Sequence, residues 1–291
     1  MTCSLHKLGI GSSQFPLDPL HVPSRGRPPH SEVRDILDIA ARAGLGVLDV
    51  AGRSAHAESL LGQLMPPQRP FLLTLTCARP DRGLDAVESG LHASLARLGT
   101  ASVDTLLAPS VSDLFGPQGQ ALWERMQALR EAGLCRRIGF GVLASDDPVG
   151  VCRRFRPDVV QAPASLLDQR LLADGTLARL CDMGVEVHLR PIFLNSLLFL
   201  PPDRVPAQLR GAAGRISRAR RLIAEGRSDP LQAALGFALS RPEAAAVLVG
   251  VSSAAELSAV VAAASRPPPD LEWDDMALDD PALLDRRHWA A

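Results

Sequence analysis

The stretch Val47–Leu61, VLDVAGRSAHAESLL, contains the unit from which the whole fold is read. A short apolar run closes on an aspartate, a loop of small residues follows, and a helical pattern opens near Glu58. A short run that is apolar throughout and bounded by turn residues predicts a strand covered on both faces. Strand, loop and helix together make half of a parallel crossover unit, because parallel strands cannot be joined by a tight turn. Outward from this stretch the same alternation recurs. Strands are expected at 8–13 (LGIGSS), 47–51, 72–77 (LLTLTC), 105–110 (TLLAPS), 137–141 (RIGFG), 159–163 (VVQAP), 185–192 (VEVHLRPI) and 246–251 (AVLVGV). Amphipathic segments lie between them. SEVRDILDIAARAG has Ser31 as an N-cap and Gly44 as a stop, LDAVESGLHASLARLG ends at Gly99, ALWERMQALREAG ends at Gly133, and LQAALGFALSRP halts before Pro242. Strand signals that alternate with helices in this way predict an α/β chain closed into a (β/α)8 TIM barrel, one domain over 1–291.

Composition narrows the function classes. A formal net charge of −1 exerts no overall pull toward nucleic acid or an anionic membrane. No apolar run approaches the length of a membrane span, and the first residues, MTCSLHKLGIG, lack the apolar core of a signal peptide. Cys3, Cys77, Cys135, Cys152 and Cys181 are scattered with no CxxC, so a reducing, cytoplasmic setting is expected, with no disulfide framework and no metal site. Lys7 is the only lysine and tyrosine is absent, as in GC-rich coding. GIGSSQ resembles the start of a dinucleotide fingerprint, but the third glycine is missing and Pro16 stands where a helix should open. The acidic tail, DLEWDDMALDDPALLDRRHW, reads as a docked extension with a solvated face.

Taken in order, LGIGSS, AARAGLGVLDVAGRSAHAESLLGQLM, LHASLARLGTASVDTLLAP, LREAGLCRRIGFGV, RPDVVQAPASLLDQR, VHLRPIFLNSLLF and LQAALGFALSRPEAAAVLVGVSSAAEL resemble the aldo-keto reductase family over nearly the whole chain. The resemblance implies hydride transfer from a nicotinamide to a carbonyl carbon, with a tyrosine as proton donor. A lysine lowers that tyrosine's pKa, an aspartate pairs with the lysine, and a histidine orients the substrate. An ordinary phenol, with a pKa of about 10, needs such a cation to exchange protons near neutrality.

Placed on this chain, the aspartate is Asp49, but the other three roles fall on residues that cannot perform them. The tyrosine position is Ser54, the lysine position is Thr76 (or Leu75 under a one-residue slip), and the histidine position is Pro109. Losing a positioned general acid removes ~10²–10⁴ in rate, and losing the stabiliser of the carbonyl oxygen ~10²–10³. Ordinary carbonyl reduction is therefore not expected.

The cofactor pattern survives better. Gln161 matches the family glutamine that holds the nicotinamide carboxamide, while the family Ser-Asn pair has become Gly141-Val142. Arg190 stands where the family places a stacking aromatic. It can stack on a ring, bond a phosphate or form a salt bridge in the barrel mouth. Phe193 and Asn195 follow in the pyrophosphate stretch, and Ser12 closes the first strand. Gly250, Ser252, Ser253 and the helix behind them match a phosphate site common in this fold. Glu256 replaces a basic clamp for the 2′-phosphate, which predicts NAD(H) over NADP(H).

Two readings follow. One is a catalytically inactive barrel that binds NAD(H) and acts through protein partners. A further resemblance, to oxidoreductase-like regulators of bacterial cell division, implies that these partners are the tubulin-like protein FtsZ and a histidine kinase. The loops at 16–29 and 201–228 and the acidic tail are the expected contact surfaces. The other is an active NAD(H)-dependent oxidoreductase in which His56, two residues past the lost tyrosine, donates the proton.

Overall fold

The computed structural model describes residues 5–14, 29–50, 54–194, 196–200, 207–278 and 280–285. Eight parallel strands form the barrel: β1 (Leu8–Gly11), β2 (Val47–Val50), β3 (Leu72–Thr76), β4 (Val103–Ala108), β5 (Cys135–Gly141), β6 (Val159–Ala162), β7 (Glu186–Leu189) and β8 (Ala244–Gly250). They pair in sequence order, and β8 returns to β1 through the register Leu8 with Val247 to Gly11 with Gly250. The expected (β/α)8 barrel is thus present, and each expected strand lies at its place in the chain.

Helices cover the outside. They are α1 (His30–Arg42), α2 (Ala55–Leu64), α3 (Leu84–Leu98), α4 (Val111–Phe115), α5 (Gly119–Glu131) and α6 (Pro148–Phe155), then α7 (Arg170–Ala173), α8 (Thr176–Asp182), α9 (Ala213–Glu225), α10 (Pro230–Leu239), α11 (Ala254–Ala264) and α12 (Pro281–Leu284). Two starts differ from the sequence reading. Ser31 is not the cap of α1: the N-cap position is Pro29, in extended conformation, and no side chain caps the first turn. The helix after β2 opens at Ala55, three residues before Glu58, because the Ser54 hydroxyl accepts from the Ala57 N–H and caps it. The stop at Gly99 has its expected cause. Its φ of 64° lets its N–H turn back to the last carbonyls of α3, a conformation that costs a side-chain-bearing residue energy.

Most apolar side chains pack between strands and helices. Trp123, Phe140 and Phe155 meet edge to face there, at centroid distances of 5.6–6.4 Å. A separate small cluster of Val47, Ala246 and Leu248 fills the barrel on the β1 side. Gly9 is required beside it: a Cβ there would lie 2.8 Å from Leu248 Cδ2 and 2.9 Å from Val47 Cβ.

On the β4–β7 side the interior is polar. Arg137 binds Asp104 and Glu186, Arg136 Nη2 reaches Asp104 Oδ1 at 2.6 Å, and the Thr105 hydroxyl donates to Asp104 at 2.8 Å. His188 Nε2 lies 3.9 Å from Glu186, and His188 Nδ1 is buried without a partner. The His188 ring and the Arg137 guanidinium hold Glu186 down at about 2.

Residues of the tail up to Leu278 pack on the barrel. Trp273 meets Phe237 at 5.7 Å, its carbonyl accepts from Gln169 Nε2 at 2.7 Å, and the Leu278 N–H donates to Leu167. Among the described residues no helix is long and apolar enough to cross a membrane. A cavity of about 320 Å³ opens at the N-terminal end of the strands between Met65, Phe71, Leu72, Asp104 and Arg136. It lies at the opposite end of the barrel from Asp49, and in this architecture the strand C-terminal ends carry the chemistry.

Candidate functional site

The register decides which side chains enter the barrel mouth. Asp49 pairs with Thr74, and Thr74 with Thr105, so these residues share one face of the sheet. Arg190, which follows β7, bonds Asp49 across the barrel, so that face is the interior. Thr76, two residues beyond Thr74, shares it, whereas Leu75 points outward into the helix-packed core. The interior-facing residue at the end of β3 is therefore Thr76, two positions beyond the Thr74 that pairs with Asp49. Leu107 pairs with Thr76, and Pro109 follows at the same parity just past β4.

Asp49 does have a cationic partner, one that comes from the other side of the barrel. Arg190, the residue following β7, donates from Nη1 to Asp49 Oδ2 at 2.9 Å and to Gln161 Oε1 at 2.8 Å. The Asp49 side chain is only 6% exposed, while Arg190 is 42% exposed. Burial pushes the Asp49 carboxyl above its ordinary value of 3.8, against the opposing pull of Arg190, Gln161 and His188. Gln161 is itself 4% exposed, and its Nε2 has no hydrogen-bond partner. The structure thus brings together Asp49, Gln161 and Arg190. Sequence reading weighed a salt-bridged Arg190 in the barrel mouth beside a ring or phosphate contact, but did not name Asp49 as its partner, because the pair joins residues 141 positions apart.

A second group of the expected residues meets at the start of α11. The Ser252 N–H and hydroxyl both bond Glu256 Oε2, at 2.8 and 2.9 Å, and the Ser253 hydroxyl caps the helix by accepting from the Glu256 N–H. Glu32 of α1, which the sequence did not single out, accepts from the Ala254 N–H at 2.5 Å. Two carboxylates of the chain therefore fill donors at this helix N-terminus, where anions bind well. The only sequence-level signal for Glu32 is an acidic residue in the first turn of α1.

The remaining expected residues are placed as follows. Ser12 is fully buried at the end of β1, and Gly250 pairs with Gly11. Gly141 pairs with Gln161, whose carbonyl accepts from the Val142 N–H at 2.9 Å, and the Val142 side chain joins the core. Phe193 packs against the core and meets Phe199 at 5.3 Å. Asn195 lies outside the described residues, as do most of the loop at 16–29 and the stretch 201–206. His56 is exposed near the start of α2, its ring 6.3 Å from that of His30.

A closed eight-stranded parallel barrel with a charged cluster at the strand C-terminal ends defines the class of protein. Within that class, residues 7–277 match the family model described as the aldo/keto reductase family, and the chain belongs to that family. Aldo-keto reductase AKR11C1 from Bacillus halodurans, in its holo form, superposes with a TM-score of 0.75 at 20% identity, covering 97% of this chain and 95% of that one. A Pseudomonas aeruginosa protein assigned to the aldo-keto reductases is 19% identical with a TM-score of 0.64, covering 89% of each chain. At these identities the likeness speaks for the fold alone. No curated protein matches the chain.

Proposed function

We propose that this chain is a cytoplasmic, catalytically inactive aldo-keto reductase that binds NAD(H) and regulates through protein partners. The observation that carries the reading is the Asp49–Arg190 pair. The family pattern places the activating lysine on β3, beside the aspartate. Here Thr76 stands there and the aspartate is held by a guanidinium from the far side of the barrel. A guanidinium stays charged at any ordinary pH and does not supply a proton. The Ser54 hydroxyl caps a helix, and Pro109 offers no titratable group. Of the residues at the four family positions, Asp49 is the one that titrates as an acid, and it is bonded to Arg190.

The cofactor the family uses supplies hydride at the nicotinamide ring when bound. The chain's residues fit its unphosphorylated form. Gln161 Nε2, buried and unpartnered, is a donor suited to an oxygen of the pyridine substituent. At the other end Glu32 and Glu256 set carboxylates where a 2′-phosphate would have to sit, which supports NAD(H) over NADP(H). Gly250, Ser252 and Ser253 would face the phosphates and ribose. Ser12, Gly141, Phe193 and Asn195 complete the cradle in this reading. The chain also resembles the oxidoreductase-like cell-division regulator KidO, and on that resemblance the partners are FtsZ and a histidine kinase.

The test is calorimetric titration with NADH and NADPH, beside turnover assays on a panel of aldehydes and quinones. NADH binding without turnover is expected. Tighter NADPH binding overturns the cofactor choice. Turnover above background that His56→Ala abolishes overturns the inactive reading in favour of an oxidoreductase with His56 as donor.

A further inference from the structure

The floor of the barrel carries N–H donors that its own acceptors do not use. They line the cavity of about 320 Å³ at the N-terminal ends of β3 and β4. Part of the lining is apolar: Met65, Phe71 and Leu72, with Leu72 45% exposed although it begins a strand. The polar part includes Asp104 and the guanidiniums of Arg69 and Arg136. Asp104 is already saturated. Arg136 Nε and Nη2 reach its Oδ1 at 2.7 and 2.6 Å, while Arg137 and the Thr105 hydroxyl bond its Oδ2. Arg136 Nη1 then has no partner among the described residues. Arg69 is anchored by its own Nη1, which donates to the Leu98 carbonyl at 3.0 Å, and its side chain makes no other hydrogen bond among the described residues. A guanidinium carries more N–H donors than these contacts use. The Arg69 backbone sits at a φ of 45°, a conformation that costs a residue with a side chain energy and that clusters at ligand clamps.

We propose that this floor cavity is a binding site for a small amphipathic carboxylate. Two guanidiniums against one carboxylate leave the lining with a positive charge in excess, which a monoanion neutralises. A dianion would set like charge against Asp104 with no cation left to offset it. Bonds from a guanidinium to a carboxylate are charge-assisted, roughly twice as strong as neutral ones. The hydrocarbon body of the ligand lies on Met65, Phe71 and Leu72, which removes apolar surface of both from water. The volume is at the small end for a ligand pocket, so that body is a few carbons long and not a fatty-acyl chain. The site is at the opposite end of the barrel from Asp49 and stands whether or not a dinucleotide binds at the mouth.

Calorimetry on the full chain tests this with hexanoate, hexanol and acetate. Hexanoate is expected to bind about tenfold or more tighter than either of the others, because it alone brings both the charge and the hydrocarbon. Arg69→Met should weaken hexanoate about tenfold and leave hexanol unchanged, since it removes a charge-assisted bond and keeps the apolar stem. Leu72→Asp, at a position exposed enough to accept a charge, should weaken hexanoate by about as much, because it sets a second carboxylate in the lining. The urea midpoint checks that each variant is folded, and if one is not, the other decides. Hexanoate affinity that the folded variants leave unchanged places the ligand elsewhere and overturns the inference. Equal affinity for hexanoate and hexanol, or for hexanoate and acetate, overturns it too, as does the absence of hexanoate binding at ~10 mM.

Discussion

Replacing Arg190 by methionine should destabilise the protein far more than replacing its partner Asp49 by asparagine. The two changes break the same 2.9 Å contact but leave different residues behind. In Arg190→Met a carboxylate with 6% of its side chain exposed loses its cation, and Gln161 Oε1 loses its donor. Stranding one member of a buried ion pair costs roughly 3–5 kcal/mol. The guanidinium is 42% exposed, so water already screens part of the interaction, which lowers the expected loss to about 1.5–3 kcal/mol. In Asp49→Asn the arginine can be hydrated where it stands, and the loss should be about 0–1 kcal/mol.

The pH dependence follows from the direction of the Asp49 shift. Burial sets the folded-state pKa above 3.8, so the native state holds that proton more tightly than the unfolded chain does. The Asp49 contribution to stability therefore falls as pH rises through the window from 3.8 up to the folded value. Without Arg190, the largest opposing influence, that window extends upward. The deficit of Arg190→Met should thus be smallest near pH ~4 and grow toward neutrality. Urea unfolding followed by tryptophan fluorescence, at about pH 4.5 and about pH 7.5, measures both effects. Equal losses for the two variants, or a loss in Arg190→Met that does not change between the two pH values, would refute the reasoning.

Three further outcomes are expected. The wild-type protein should lose stability as pH falls from 4.5 toward about 2, because Glu186 is held down to about 2 by His188 and Arg137, and Asp104 is also depressed; acid titration of Glu186→Gln should show a weaker loss over that range. Gly9→Ala should cost about 1–3 kcal/mol by overpacking against Leu248 and Val47, read as a lower urea midpoint at unchanged slope. Ser54→Ala should lower stability by about 0.5–2 kcal/mol through loss of the α2 cap while leaving NADH affinity unchanged, and a loss of affinity would return Ser54 to the site.

Much of the architecture was legible in the chain itself. Parallel strands buried on both faces leave short apolar runs, and VLDV, VVQA and AVLVG could be read as strands from their neighbours alone. Gly99 announces the end of α3 by a rule that involves only the last turn of the helix. Ser31 shows where such rules fail: it has the composition of a cap, but the chain enters α1 two residues earlier, from Pro29. The sequence reading took Ser54 for the place of a missing tyrosine. Its present work as a helix cap became visible only with the backbone in place.

By itself the sequence determined the barrel and the order of its strands, because period, turn chemistry and crossover length are local properties. It also determined what is lacking at the barrel mouth, since Thr76 and Pro109 cannot titrate in any conformation. Only the tertiary structure decided how the remaining groups are joined: Arg190 with Asp49 and Gln161, Glu32 with the start of α11, Arg137 with Asp104 and Glu186. These bonds cross the barrel or join distant helices. Their energy depends on burial and on angstrom-scale distance, and closure of the barrel sets both.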